Sequence, residues 1–290
     1  MNGAKADEDL MMRSIRAAAW RLRYSELAPI RGLLRMTYGG KTAICPVCES
    51  ALRRFLPIPA KYSRAARQHG FPYTTDDFET INAGAYSCPV CGASDRERLI
   101  AIYLQNLAAS ESMPADSPRV IDFAPSAPLS RFIKRAFPRA AYVKADRFQP
   151  GVDLRVDLCS MPEIATETVD IWICSHVLEH VDDDLAAVHE LGRILKVDGR
   201  GLLLVPLLLT NPVLAPSGQV RTVADRWRYF GQGDHVRLYT KPMFLALLGD
   251  AGLEVQQWTA SVEIDGTPER FGVQSRAVLY VVRKPRRAPS

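Results

Sequence analysis

From Arg119 onward, short apolar runs alternate with stretches whose apolar residues recur every three to four positions. Residues 119–124 (RVIDFA) read as a buried strand. The stripe Leu129, Phe132, Ile133, Ala136 and Phe137 predicts a helix over 129–137. Strands are expected at 141–146, 154–158 and 169–175. Asp182 to Asp184 then open a helix, because acidic side chains cap free amides and suit the helix dipole. Its stripe is Leu185, Val188, Leu191, Ile194 and Leu195, and Gly199 is expected to stop it. A strand over 201–208, a helix over 241–249 and strands over 253–259 and 277–283 complete the series. Strands alternating with helices predict an α/β fold with a doubly wound, Rossmann-like parallel sheet.

The front of the chain has a different rhythm. Met11, Ile15, Ala18, Ala19 and Leu22 predict an amphipathic helix over 10–36, with Arg13, Arg16, Arg21 and Arg23 off the stripe and Pro29 breaking it. Cysteine pairs, prolines and short apolar stretches punctuate 44–92, and a strong amphipathic helix is expected over 96–109. Residues 110–118 read as a Pro/Ser-rich connector. The division expected is a basic helical segment at 1–43, a small ribbon at 44–95, the α/β body at 96–283 and a basic tail at 284–290.

Composition limits the possibilities. With 290 residues and 47% hydrophobic content, the chain can fill a large core, which excludes global disorder. The apolar run 202–209 is too short to span a bilayer, and the first residues lack the order of a signal peptide, so a cytoplasmic protein is expected. Charge is uneven: 15 Lys/Arg face 10 Asp/Glu in residues 1–100, whereas 18 face 22 in residues 101–282. Arg283, Lys284, Arg286 and Arg287 make the tail basic. An anionic partner is permitted by this asymmetry and not required by it.

Cys45-Pro46-Val47-Cys48 and Cys88-Pro89-Val90-Cys91 are near copies. Two such units supply four thiolates to one tetrahedral ion, and the pairing is far more specific than a single Cys-x-x-Cys. Structural Zn²⁺ is the expected occupant, since four sulfurs leave no open position for chemistry. Gly92 follows the second unit, where a left-handed turn is useful. Cys159 and Cys174 read as small buried hydrophobes.

In a doubly wound sheet, ligands bind beyond the carboxyl ends of the strands. Those ends carry Asp122, then Asp146, then Asp157 and Leu158, then Ser175 and His176. A carboxylate after the second strand suits ribose hydroxyls, and Asp157 could accept from an adenine amino group. The segments VIDFAPS, KADRF, RVDLCSMP and VDIWICSHVLEHVDDDLAAVHELGRILKVDGRGLLLVP resemble class I S-adenosylmethionine-dependent methyltransferases, over about 118–283. The CPVC pairs and FGQGDHVRLY resemble a bacterial subgroup with an N-terminal zinc ribbon. The resemblance implies a seven-stranded sheet ending in a hairpin, with S-adenosylmethionine as cofactor. It places Asp122, Ala124, Pro125 and Ser126 around the methionine part, Asp146 at the ribose, Asp157 and Leu158 at the adenine, and Ser175 and His176 near the sulfonium, with Arg147 also among the cofactor-binding residues. The first loop departs from the family's glycine-rich form: Ala resists a left-handed backbone and Pro lacks a donor.

Methyl transfer from a sulfonium is an in-line displacement, so alignment dominates and a base is needed only if the acceptor must lose a proton. His176, His180 and His235 are the candidates, with Asp234 beside the last; Glu179 and His180 can equally begin the turn before the acidic helix cap, and His189 reads as a surface residue. The acidic body favours a small-molecule or glycan acceptor. RNA gripped by the ribbon is an alternative, as is a non-catalytic scaffold that kept the fold.

Overall fold

The computed structural model describes residues 28–110, 113, 116–212 and 220–285. Most of the expected N-terminal helix and the end of the basic tail lie outside these residues. Helix α1 (Ala28–Tyr38) leads directly into β1 (Gly39–Ile44), which pairs antiparallel with β2 (Ala51–Leu52). Pro29 sits in the first turn of α1, where its missing N–H costs nothing. Helix α2 (Ala60–Gln68) follows, then α3 (Asp95–Ala109). Ser94 accepts from the Glu97 amide and Glu97 from the Ser94 amide, so a reciprocal cap fixes where α3 begins.

The body is β3 (Arg119–Phe123), α4 (Ala127–Ala136), β4 (Ala141–Asp146), β5 (Leu154–Arg155), β6 (Val169–Ser175), α5 (Asp184–Ile194) and β7 (Leu195–Leu204). After β8 (Leu207–Leu208) and α6 (Val223–Phe230) come β9 (Tyr239–Thr240), α7 (Lys241–Asp250), β10 (Glu254–Thr259), α8 (Ala260–Glu263) and β11 (Val278–Arg283). The seven-stranded sheet has the order β10-β11-β7-β6-β3-β4-β5. The strands from β3 to β7 are parallel, and β11 is antiparallel to both β7 and β10. The expected doubly wound sheet with a terminal hairpin is therefore present. Its strand order reverses between β3 and β6, which opens the crevice where such sheets hold ligands.

Helices on both faces bury β6 throughout, so its sequence VDIWICS is nearly all apolar instead of alternating. Period-two geometry still sorts its side chains. Ile171 and Ile173 join one core with Leu202, Leu279 and α3, whereas Trp172 and Cys174 join the other with α5 and α7. The first core also contains Cys45, Leu52, Phe55, Cys88 and Cys91. The cysteine-bearing segment thus has no core of its own; it is a layer on the sheet. Arg98, fully buried, stitches it down: it donates to Ala93 O at 2.7 Å, Phe271 O at 2.8 Å and Gly272 O at 2.9 Å, and lies 4.0 Å over the Phe55 ring.

Several boundaries differ from expectation. Strand β5 is two residues long, because Asp157 turns the chain by accepting from the Cys159 amide. Gly199 does not stop a helix. Helix α5 ends at Ile194, and Gly199 lies inside β7, where a Cβ would sit 3.0 Å from Asp170 O. Pro206 divides the expected 201–208 strand in two. Cys174 is buried as expected, but Cys159 is only half-buried. Among the described residues, no helix is long and apolar enough to cross a membrane.

Gly201 makes the most demanding sheet contact. A Cβ there would fall 2.1 Å from Cζ2 of Trp172, whose indole is pinned by a 3.0 Å bond from Nε1 to Leu191 O. Gly201→Ala should therefore destabilise the protein by about 2–3 kcal/mol, the upper range for overpacking. An unchanged midpoint in urea denaturation would count against this packing.

Candidate active site

Two cavities open beyond the carboxyl ends of the strands. The first, of about 720 Å³, follows the switch point and is bordered by Ala124, Asp146, Arg147, Asp157, Leu158 and His176. The second, of about 500 Å³, is walled by the segment before α3, including Tyr62, Phe71, Phe78 and Tyr86, and by Arg96 and His235. His176, His180 and Asp234 border both.

In the first cavity, Asp146 Oδ1 accepts from the amides of Phe148 at 2.6 Å and Gln149 at 2.7 Å. The turn after β4 thereby fixes the carboxylate, and Oδ2 has no hydrogen bond to the described residues. Arg147 Nη1 pairs with Asp157 Oδ2 at 2.7 Å, while Asp157 Oδ1 is held by the Cys159 amide at 3.0 Å. Leu158 is buried beneath. Ala124 does adopt the left-handed backbone that glycine normally takes, with φ 55°. His176 does likewise at φ 58°, held by its amide bond to Leu204 O at 2.8 Å. Non-glycine residues in this region carry strain, here at both loops that enclose the crevice.

The remaining loop residues stand apart from the cavity. Asp122 is buried and accepts from the Tyr142 hydroxyl at 2.7 Å; burial, with Glu97 nearby, pushes its carboxyl up to about 7. Ser126 caps α4 by accepting from the Leu129 amide and donates to Glu97. Pro125 is buried, and its carbonyl accepts from Gln149 Nε2. Ser175 ends β6 without bordering either cavity.

Where the cavities meet, His176 Nδ1 lies 3.1 Å from Glu179 Oε1. The Glu179 side chain is fully buried. His235, also buried, stacks edge-on to His180 with centroids 4.7 Å apart, and His180 Nδ1 is 3.2 Å from Asp234 O. Burial and the Arg96 guanidinium lower His176 to about 4, so its imidazole is neutral near pH 7. Burial also lowers His235. For Glu179, burial acts upward, but the His176 and His235 imidazoles outweigh it and hold the carboxyl below its usual range. Asp234 is exposed, whereas His189 is on the surface of α5 as expected.

Sequence reading missed three residues. Arg237 clamps the loop by donating to Leu178 O, Val181 O and Asp182 O. Arg96 comes from a helix outside the alternating pattern. Glu179 resembles a turn starter in sequence, and only its burial marks it otherwise; the signal available is its place four residues beyond a strand end, between histidines.

A methyltransferase-domain family model matches residues 62–257. The chain belongs to that methyltransferase family. It is an S-adenosylmethionine-dependent enzyme of class I. No curated protein matches it. Among solved structures, the YcgJ protein of Bacillus subtilis is 16% identical, with 63% of this chain and 99% of that one covered at a TM-score of 0.41. A SAM-dependent methyltransferase from Thermotoga maritima is 15% identical, with 64% and 95% covered at 0.36. The CMeT domain of the citrinin polyketide synthase is 15% identical, with 69% and 55% covered at 0.44.

The cysteine layer of the methyltransferase repeats itself in three dimensions. In the first knuckle Glu49 N donates to Cys45 O and Cys45 N to Ser50 O; in the second, Gly92 N donates to Cys88 O and Cys88 N to Ala93 O. Glu49 takes φ 60° where Gly92 takes 84°. The sulfurs of Cys45 and Cys91 are 3.7 Å apart, and those of Cys48 and Cys88 are 3.8 Å apart. A tetrahedral Zn–S length of about 2.3 Å demands an edge of about 3.8 Å, so the donor set fits zinc and is far too open for disulfides.

Proposed function

We propose that the methyltransferase acts on a small-molecule or glycan acceptor with an apolar body, seated in the second cavity, while S-adenosylmethionine occupies the first. One observation carries this reading: the two cavities share His176, His180 and Asp234, so a donor in one and an acceptor in the other would meet at that border. A cavity of about 500 Å³ is the size of a small-molecule site, and its aromatic wall suits a planar or apolar body. Arg96, whose Nε has no hydrogen-bond partner, offers charge to an anionic substituent.

For the cofactor, we assign Asp146 to the ribose, Arg147, Asp157 and Leu158 to the adenine, and the turn at Ala124 to the methionine part. The first cavity's volume and the unpartnered Asp146 Oδ2 suit this assignment. Asp122, Pro125 and Ser126 support the turn from behind, and Ser175 holds the end of β6. When bound, S-adenosylmethionine supplies a methyl on a sulfonium; in-line attack breaks the C–S bond and leaves its electron pair on sulfur. The chain's part is alignment and exclusion of water. His176 Nε2 is buried without a partner and is placed to accept a proton from the acceptor, with His235 and Asp234 on the facing loop. Zn²⁺ on Cys45, Cys48, Cys88 and Cys91 has a structural role.

Calorimetry with S-adenosylmethionine tests the cofactor assignment. The wild-type chain should bind one equivalent, and Asp146→Ala should weaken binding by at least ~10-fold, about 1.4 kcal/mol. Equal affinity in the two proteins would refute the ribose role. Tritiated methyl transfer into fractionated extract reads the acceptor class, and label in the RNA fraction would overturn the small-molecule assignment.

A further inference from the structure

Glu179 poses an electrostatic problem. Its side chain has no exposure, and neither carboxylate oxygen has a hydrogen bond. A buried carboxylate without compensation costs several kcal/mol. His176 Nδ1 approaches one oxygen, yet the other faces no donor. His235 is also buried, and its Nδ1 has no partner. One ligand atom from each of Glu179, His180 and His235 lies within 4.8 Å of the other two. The backbone holds this group together: Val236 N donates to Glu179 O at 2.8 Å, and Arg237 ties the same loop to Leu178 and Val181.

We propose that Glu179, His180 and His235 bind a divalent transition-metal cation at the border of the two cavities. Two imidazoles and one carboxylate suit Zn²⁺, Mn²⁺, Fe²⁺ or Co²⁺. Such ions keep positions open beyond three protein ligands. Donors about 2.1 Å from one ion stand at most about 4.2 Å apart, and the ring of His180, one-third exposed, has room to adjust to that spacing on ligation. The ion gives the second Glu179 oxygen the partner that it lacks among the described residues. All three residues line the second cavity, so an acceptor oxygen or nitrogen there would be able to complete the ion's coordination and be held near the methyl donor. This catalytic use rests on reading that cavity as the acceptor site, whereas ion binding itself does not. The site is separate from the four-sulfur layer, whose soft thiolates select zinc.

Calorimetric titration of Co²⁺ into the full chain, with zinc already on the cysteines, tests the proposal. One equivalent should bind beyond that zinc, and its visible spectrum should show weak d–d bands without intense sulfur charge transfer. His180→Ala should weaken uptake at least tenfold, and Glu179→Gln should abolish it. His180 is partly exposed, so His180→Ala should keep the wild-type melting temperature and remain informative even if Glu179→Gln is poorly folded. Asp146→Ala should bind Co²⁺ normally. Absence of uptake, or uptake that His180→Ala leaves unchanged, would overturn the site. Failure to bind S-adenosylmethionine would instead strike the proposed function and leave this result standing.

Discussion

Cys88→Ser should deprive the chain of cooperative folding. Cys45, Cys88 and Cys91 are buried in the same core as Leu99, Ile100 and Leu279. That core is one face of the central sheet, so damage to the proposed zinc site is transmitted to the whole body. Structural zinc supplies about 10–16 kcal/mol of apparent binding energy in small modules, comparable to the ~5–15 kcal/mol stability of a whole domain. Losing one of four thiolates should cost at least ~5 kcal/mol here. Zinc analysis should give one equivalent in the wild type and a fraction of that in the variant. Urea denaturation followed by circular dichroism should change from a sharp transition to a shallow one, and a strong chelator should do the same to the wild-type protein. A variant with an unchanged midpoint would show that the four sulfurs contribute only apolar packing.

The sequence revealed the periodic features and missed those that depend on long-range placement. The fold class was legible because βαβ alternation writes itself into apolar spacing, and β6 was plain because burial on both faces makes it nearly all apolar. The two CPVC units were legible because metal geometry fixes local spacing. Asp146 and Asp157 were legible as strand ends, and they do border one cavity. Asp122 was misleading: it also ends a strand run, but its pleat position turns it toward Tyr142. Ala124 has little intrinsic tendency to take φ > 0, yet the surrounding structure imposes that conformation. Most of the wall of the second cavity comes from residues 58–96, far from the strand ends in sequence, and no period joins them. Arg98 shows the same limit. Its five-way tie between residues 85–93 and 271–272 joins the cysteine segment to the body through contacts that no local spacing reveals.

Asp122→Asn should invert the order of stability between acid and alkaline pH. Burial holds the folded carboxyl at about 7, with Tyr142 its one hydrogen-bonding donor among the described residues. The unfolded value is about 3.9. Below pH ~4 the group is protonated in both states and costs nothing. Between ~4 and ~7 the unfolded chain releases a proton that the folded chain retains, so stability falls as pH rises, by about 1.4 kcal/mol per unit. The loss approaches ~4 kcal/mol near pH 7 and is constant above it. Asparagine keeps an oxygen for the Tyr142 hydroxyl and never ionises, but it buries an amide group that needs acceptors, at a cost of about 1–2 kcal/mol. The variant should therefore be the less stable protein at pH 4.5 and the more stable one at pH 8, by ~2 kcal/mol. Other titrating groups, including Glu179 and His176, are common to both proteins and cancel in the difference. Urea midpoints measured across pH 4.5–8.5 without cofactor will decide the matter. Two parallel curves would mean that the Asp122 carboxyl ionises as freely in the folded protein as in the unfolded chain, and that Tyr142 and the local burial do not act on it as the geometry requires.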